Sequence, residues 1–148
     1  AIVAGDKFSV EHVQDSILEH IRASIPQKVV ETSWRDAQLI EPVNGRLPPY
    51  VSVEFGDLQP TKRQSAIGVW GDNHILPISF FAMAHSPSVT RKLSNMVFTS
   101  MLGYQTDFSS EVRKRAGGQL MPLKASNGAI EGYSVLIMFE VSIQLAFL

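Results

Sequence analysis

Two periods of apolar residues run along the chain, and together they predict most of its elements. Val10, Val13, Ile17, Ile21 and Ile25 recur at helical i, i+3, i+4 spacing; Ser9 stands before them as an N-cap and Pro26 stops the series. The opposite face carries Glu11, Gln14, Asp15, Glu19 and Arg22, so the spacing predicts an amphipathic helix with one side on a core and the other in water. A second helix is predicted from Pro87 to Leu102. Ser86-Pro87 provides a cap followed by proline in the first turn, Val89, Leu93, Met96, Val97, Ser100 and Met101 keep helical spacing, and Gly103 closes the segment.

Near the end of the chain the period changes to two. Tyr133, Val135, Ile137, Phe139, Val141, Ile143, Leu145 and Phe147 share one parity, and Ser134, Leu136, Met138, Glu140, Ser142 and Gln144 share the other. This predicts a long strand whose first set faces the helices, while the mixed second set is expected to be partly wet or covered by another subunit. Shorter strands are predicted from Lys28 to Trp34, where Val29, Val30 and Thr32 are β-branched, and from Tyr50 to Phe55, with Gln38 to Glu41 continuing or pairing with the first. Ser65 to Trp70 and Ile75 to Ala84 flank the turn-prone Gly71-Asp72-Asn73 and read as a hairpin with Trp70 at its tip, Pro77 placing the second arm at an edge or a bulge. Residues 104 to 118 are polar, contain Arg113-Lys114-Arg115 and Gly117-Gly118, and read as a long connection, functional or mobile, with room for a short helix after Ser109 or Ser110. Gly128 and Gly132 read as turn residues before the last strand. The expected fold is α+β, one domain over residues 1–148, with a mixed, mostly antiparallel sheet and two main helices packed on one face.

Composition adds limits. The 148 residues are 45% hydrophobic and include eight Phe, two Trp and three Tyr, enough to bury a core without disulfides or a structural metal. Thirteen basic residues against 14 acidic ones argue against a chain whose main work is coating phosphate backbone or an acidic membrane surface. The lack of cysteine excludes thiolate metal sites and cysteine nucleophiles and fits a reducing cytoplasm. Pro77, Ser79, His85 and Glu140 break up the richest apolar regions before they reach the roughly 18 residues of a membrane span. The leading Ala-Ile-Val-Ala-Gly-Asp-Lys lacks the basic-then-apolar pattern of a secretion signal.

Candidate chemistry is sparse. His12, His20, His74 and His85 lack the i, i+4 helical pair and the Cys/His spacing that zinc requires, so no metal is expected. His12, His20, Ser16 and Glu19 match a catalytic triad only in composition, and the solvated helix surface is the favoured reading. No phosphate-cradling glycine motif occurs, so no cofactor and no catalytic residue are expected. The residues singled out are instead candidates for contact with a subunit or partner: Trp70, Asp72 and His74 at the hairpin, and Arg113, Lys114 and Arg115 in the basic segment. Short basic runs are more often solubilising, and Trp70 could equally pack over a sheet edge. The apolar Ala146-Phe147-Leu148 is expected to be tucked into the domain or buried against a neighbour.

The order of a helix, strands including Pro49-Tyr50-Val51-Ser52-Val53, a hairpin, the passage Ile78-Ser79-Phe80-Phe81-Ala82-Met83-Ala84 leading into a helix, a basic segment and a long final strand resembles the tail terminator proteins of long-tailed bacteriophages across nearly the whole chain. The resemblance implies a mixed sheet with helices against one face. It also implies six copies closing into a ring that caps the tail tube, stops its polymerisation and docks to the head connector, with DNA passing through the hole. Such a protein would be assembled in the host cytoplasm and reside at the tail-neck junction of the virion. It has no catalytic residues to carry over, and its partners would be copies of itself, the tail tube protein and the connector or neck proteins, with no membrane. Closed rings need head-to-tail contact between two different patches, which is why the hairpin and the basic segment are singled out. Three other readings stay open: another neck, head-completion or minor tail protein; a small enzyme using His85, Asp107 or Glu111 as acid or base; and a ligand-binding module with a deep apolar pocket.

Overall fold

The computed structural model describes residues 10–32, 43–44, 46–60, 72–106, 109–124 and 127–145. These form helix α1 (Val10–Ser24), strands β1 (Lys28–Glu31), β2 (Tyr50–Phe55), β3 (Gln59–Pro60) and β4 (Asp72–Ala84), helix α2 (Pro87–Met101), and strands β5 (Arg113–Lys124) and β6 (Ile130–Leu145). The strands make one sheet in the order β1-β2-β4-β6-β5, with β3 beside β4 beyond the end of β2. Only β1 and β2 run parallel; every other pair is antiparallel. The fold is α+β, as the two periods predict.

The sheet is built around β4 and β6, which pair without a break from Asp72 opposite Leu145 to Ala84 opposite Tyr133. The period-two reading of the last strand holds through its described side chains. Val135, Ile137, Phe139, Val141 and Ile143 are buried beneath the helices, whereas Leu136, Met138, Glu140 and Ser142 are half-buried on the far face. Leu76, Ile78, Phe80 and Ala82 of β4 and Val51 and Val53 of β2 join the helix side. Phe80 meets Phe139 edge-on with centroids 5.5 Å apart, and Phe98 of α2 closes over Phe139 at 6.2 Å. Each such large apolar side chain contributes about 1.5–3 kcal/mol on burial.

Both helices cover this one face. α1 inserts Val13, Ile17, Leu18 and Ile21 and leaves Glu11, Asp15 and Glu19 in water; its proposed cap, Ser9, lies outside the described residues. α2 starts at Ser86, whose Oγ accepts from the Val89 N–H at 3.2 Å, and Pro87 follows where no N–H is needed. It buries Leu93, Val97 and Met101 and ends at Leu102, after which Gly103 adopts φ 83. A smaller cluster of Leu47, Tyr50 and Met83 lies on the far face, with Phe81 and Leu123 against it.

Four sequence expectations need correction. Residues 104–118 are not one loop and hold no helix after Ser109 or Ser110. Ser109 bridges to Ile143, the Ser110 N–H donates to the Ser142 carbonyl at 2.8 Å, and β5 begins at Arg113. Of the two places read for Pro77, the sheet edge is wrong, because β4 lies between β2 and β6, but the bulge is right: Gly56, Asp57 and Leu58, three residues, face Leu76 and Pro77, two. The Pro77 carbonyl accepts from the Gly56 N–H at 2.8 Å, so its missing N–H points to the same side, into the gap where β2 has ended and β3 has not begun. The ladder to β6 therefore loses nothing. Asp72 and Asn73 are not turn residues but open β4, opposite Leu145 and Gln144; the other arm, Ser65 to Trp70, lies outside the described residues, as do Gln38 to Glu41 and Ala146 to Leu148. Finally, Gly128 does turn the chain at φ 86, but Gly132 sits inside β6, where a Cβ would come within 2.8 Å of the Ala84 carbonyl oxygen and 3.0 Å of Leu47 Cδ2.

Candidate functional site

The basic segment lies along an open edge of the sheet. β5 pairs with β6 on one side and has no neighbouring strand on the other among the described residues, so its outer N–H and C=O groups are presented outward. The pairing is irregular, with register shifts between Lys114 and Ala116, between Gly117 and Leu120, and between Leu123 and Lys124. Gly117 and Gly118 take φ 100 and 110, which an L side chain rarely adopts, and they carry the chain through the second shift.

The three cations sit in three environments. Arg113 faces the side away from the helices, where its Nη2 donates to Ser142 Oγ at 2.8 Å and lies 3.6 Å from Glu140 Oε2. The arginine side chain is 52% exposed, so that ion pair contributes at most about 1 kcal/mol. Lys114 turns to the helix side and sets Nζ 5.5 Å from the Phe98 ring centroid, a cation–π contact. Arg115 is the extra residue of the first shift; it is exposed and has no charged partner among the described residues. Sequence reading found the triplet but missed its supports, Glu140, Ser142 and Phe98. The first two could have been sought on the wet parity of β6.

Of the hairpin candidates, Trp70 lies outside the described residues. Asp72 and His74 belong to β4 and pair with Leu145 and Ile143, while Arg113 pairs with Glu140, so both patches lie toward the same end of the sheet, on either side of β6. They are about 10 Å apart across the strands and are not in one cluster. His74 is half-buried between β3 and β6.

His20 and Ser16 of α1 are used in holding α1 against the end of α2 and Tyr104. His20 Nε2 donates to the Ser100 carbonyl at 2.7 Å, because a carbonyl can only accept. Its ring stacks on Tyr104 at 3.8 Å with planes 9° apart, and the Tyr104 hydroxyl lies 3.3 Å from Ser16 Oγ. Ser16 is thus engaged by a tyrosine, not by an imidazole base. His85 and Glu111 stand at opposite ends of α2, which spans roughly 22 Å at 1.5 Å per residue, and Asp107 lies outside the described residues. Among the described residues no group of His, Asp or Glu converges as metal ligands do, and no helix is long and apolar enough to cross a membrane. The depressions these residues line are shallow and open. One lies on the far face between Glu54, Ser79, Phe81, Leu136 and Met138, and another lies at the end of β1 between Glu31, Thr32, Glu54 and Phe55.

No protein-family model and no curated protein matches the chain. Among solved structures it is similar to the bacteriophage SPP1 gp17 protein, with a TM-score of 0.42 and 14% identity over 87% of this chain and 88% of that one. A likeness at that level assigns no function.

Proposed function

We propose that this chain is a structural protein of a long-tailed bacteriophage virion. It acts at the tail-neck junction, where copies of it close into a ring of six that caps the tail tube, ends its polymerisation and joins the tail to the head connector. The observation that carries this reading is the order of elements on which the sequence resemblance rests, α1, β2, β4, α2, a basic segment and the long β6, folded as one mixed sheet with both helices on one face. The open, cationic β5 edge supports a role in contacts between proteins. On this reading the protein catalyses nothing and needs no cofactor, and DNA passes through the ring without being read.

Light scattering across a concentration series, with negative-stain images of the purified protein alone and mixed with tail tubes, tests the proposal. Rings of about six copies, or monomers that become rings on tube ends, are the expected result. A monomer or dimer that ignores the tubes refutes it. Rings that bind connector but not tube would move the protein to another part of the neck.

A further inference from the structure

The two flanks of the sheet carry opposite charge. α1 packs over the β1 end: the Arg22 guanidinium donates to the Val29 carbonyl, while α2 lies over β4, β6 and β5. On the solvent side of α1, Glu11, Asp15 and Glu19 follow one another at four-residue spacing, all exposed and none with an ion-pair partner among the described residues. Like charges at that spacing repel and weaken a helix, and beyond the helix dipole at Glu11 no described residue of the same copy offsets the stripe. Glu31, exposed on β1, extends it. The basic flank is the opposite edge, four strand spacings or about 19 Å away. The flanks are also level. Glu31 pairs with Val53, Val53 with Phe80, Phe80 with Ile137 and Ile137 with Gly117, two residues beyond the bulged Arg115. Arg22 and Lys28 lie at the other end of α1 and β1, and the exposed Glu111 precedes β5, so neither flank is of pure sign.

We propose that the β5 edge of one copy, led by Arg115 and Arg113, docks against the acidic face of α1 in the next copy. This rests on the ring reading and names its contact. A two-fold pairing would set like charge against like on either flank, whereas joining opposite flanks is head-to-tail, the arrangement that generates rings. The cations of β5 then have two uses: they keep the edge from pairing with unrelated strands, and they select the neighbour.

Two variants test it, both altered at exposed positions: Glu11→Lys/Asp15→Lys/Glu19→Lys, which leaves both flanks basic, and Arg113→Glu/Arg115→Glu, which leaves both acidic. Circular dichroism checks that each folds, and sedimentation velocity follows assembly of each alone and of an equimolar mixture. Each variant alone is expected to need at least about tenfold more protein to assemble than the parent chain. The mixture is expected to recover parent behaviour, because each variant then meets a complementary flank on the other. A variant that assembles alone like the parent, or a mixture that fails to recover, overturns the contact while the ring reading stands on the parent's own assembly. A parent chain that never assembles, even on tail tubes, overturns the ring reading and this contact with it.

Discussion

Replacing Gly117 with alanine tests how β5 is held against β6. At φ 100 a side chain is strained before it meets a neighbour, at a cost of about 1–3 kcal/mol. A Cβ built there also overlaps the Leu136 carbonyl oxygen and comes within 3.1 Å of Ile137 Cα, so β5 must move away from β6 and give up one or two ladder hydrogen bonds, about 1 kcal/mol each. The expected total is roughly 2–5 kcal/mol, or about 4–20 °C in Tm for a chain of this length. Gly103→Ala is the control, because Gly103 has a similar φ of 83 and nothing within 4 Å of its Cβ position. It should carry the backbone component alone, about 1–3 kcal/mol, and so fall below Gly117→Ala by the lost ladder bonds, about 1–2 kcal/mol. Urea unfolding of the two variants beside the parent measures the difference. Equal costs, within about 0.5 kcal/mol, would refute the claim that close approach of two strands, and not backbone conformation alone, requires glycine at 117.

Two further substitutions probe the scaffold. Ser86→Ala removes the side-chain acceptor of the Val89 N–H and should cost about 1 kcal/mol in urea unfolding, with helix α2 fraying from its first turn in hydrogen exchange; an unchanged midpoint would remove the cap from the account. Ser52→Ala deletes a fully buried hydroxyl that has no hydrogen-bond partner among the described residues and is expected to raise stability by up to about 1 kcal/mol, a loss of more than about 0.5 kcal/mol pointing to a partner for that hydroxyl.

The elements legible in the sequence were those that bury one face. α1, α2 and β6 each set apolar residues on one side and polar ones on the other, so helical or alternating periodicity appears directly in the residue order. β5 escaped because it is exposed almost throughout: no alternation marks it, and Arg113-Lys114-Arg115-Ala116-Gly117-Gly118-Gln119 has the composition of a loop. Its strand conformation comes from the ladder to β6, a tertiary cause that local pattern does not carry. Pro77 reads as an edge or a bulge position, and only the edge is wrong. The rule that proline avoids central strands is a rule about N–H groups that need partners, and the place where Pro77 faces has no strand to supply one. For the candidate site, charge alone drew attention to the triplet, but only the fold separates an arginine held by Ser142 and Glu140, a lysine spent on Phe98 and a bulged arginine left over.

The unbroken pairing of β4 with β6 also sets the order in which the molecule can form. Their partners are about 50 to 70 positions apart in sequence, with α2 and β5 in between. During synthesis β4 therefore leaves the ribosome long before the strand that covers its edge, and α2 emerges onto a sheet still lacking its central partner. Loop closure on that scale is slow, and until it happens Ile78, Phe80 and Ala82 lie beside an open edge. The chain should consequently fold late and all at once, at the arrival of β6, and in the interval its nascent form should depend on chaperones that shield apolar strands.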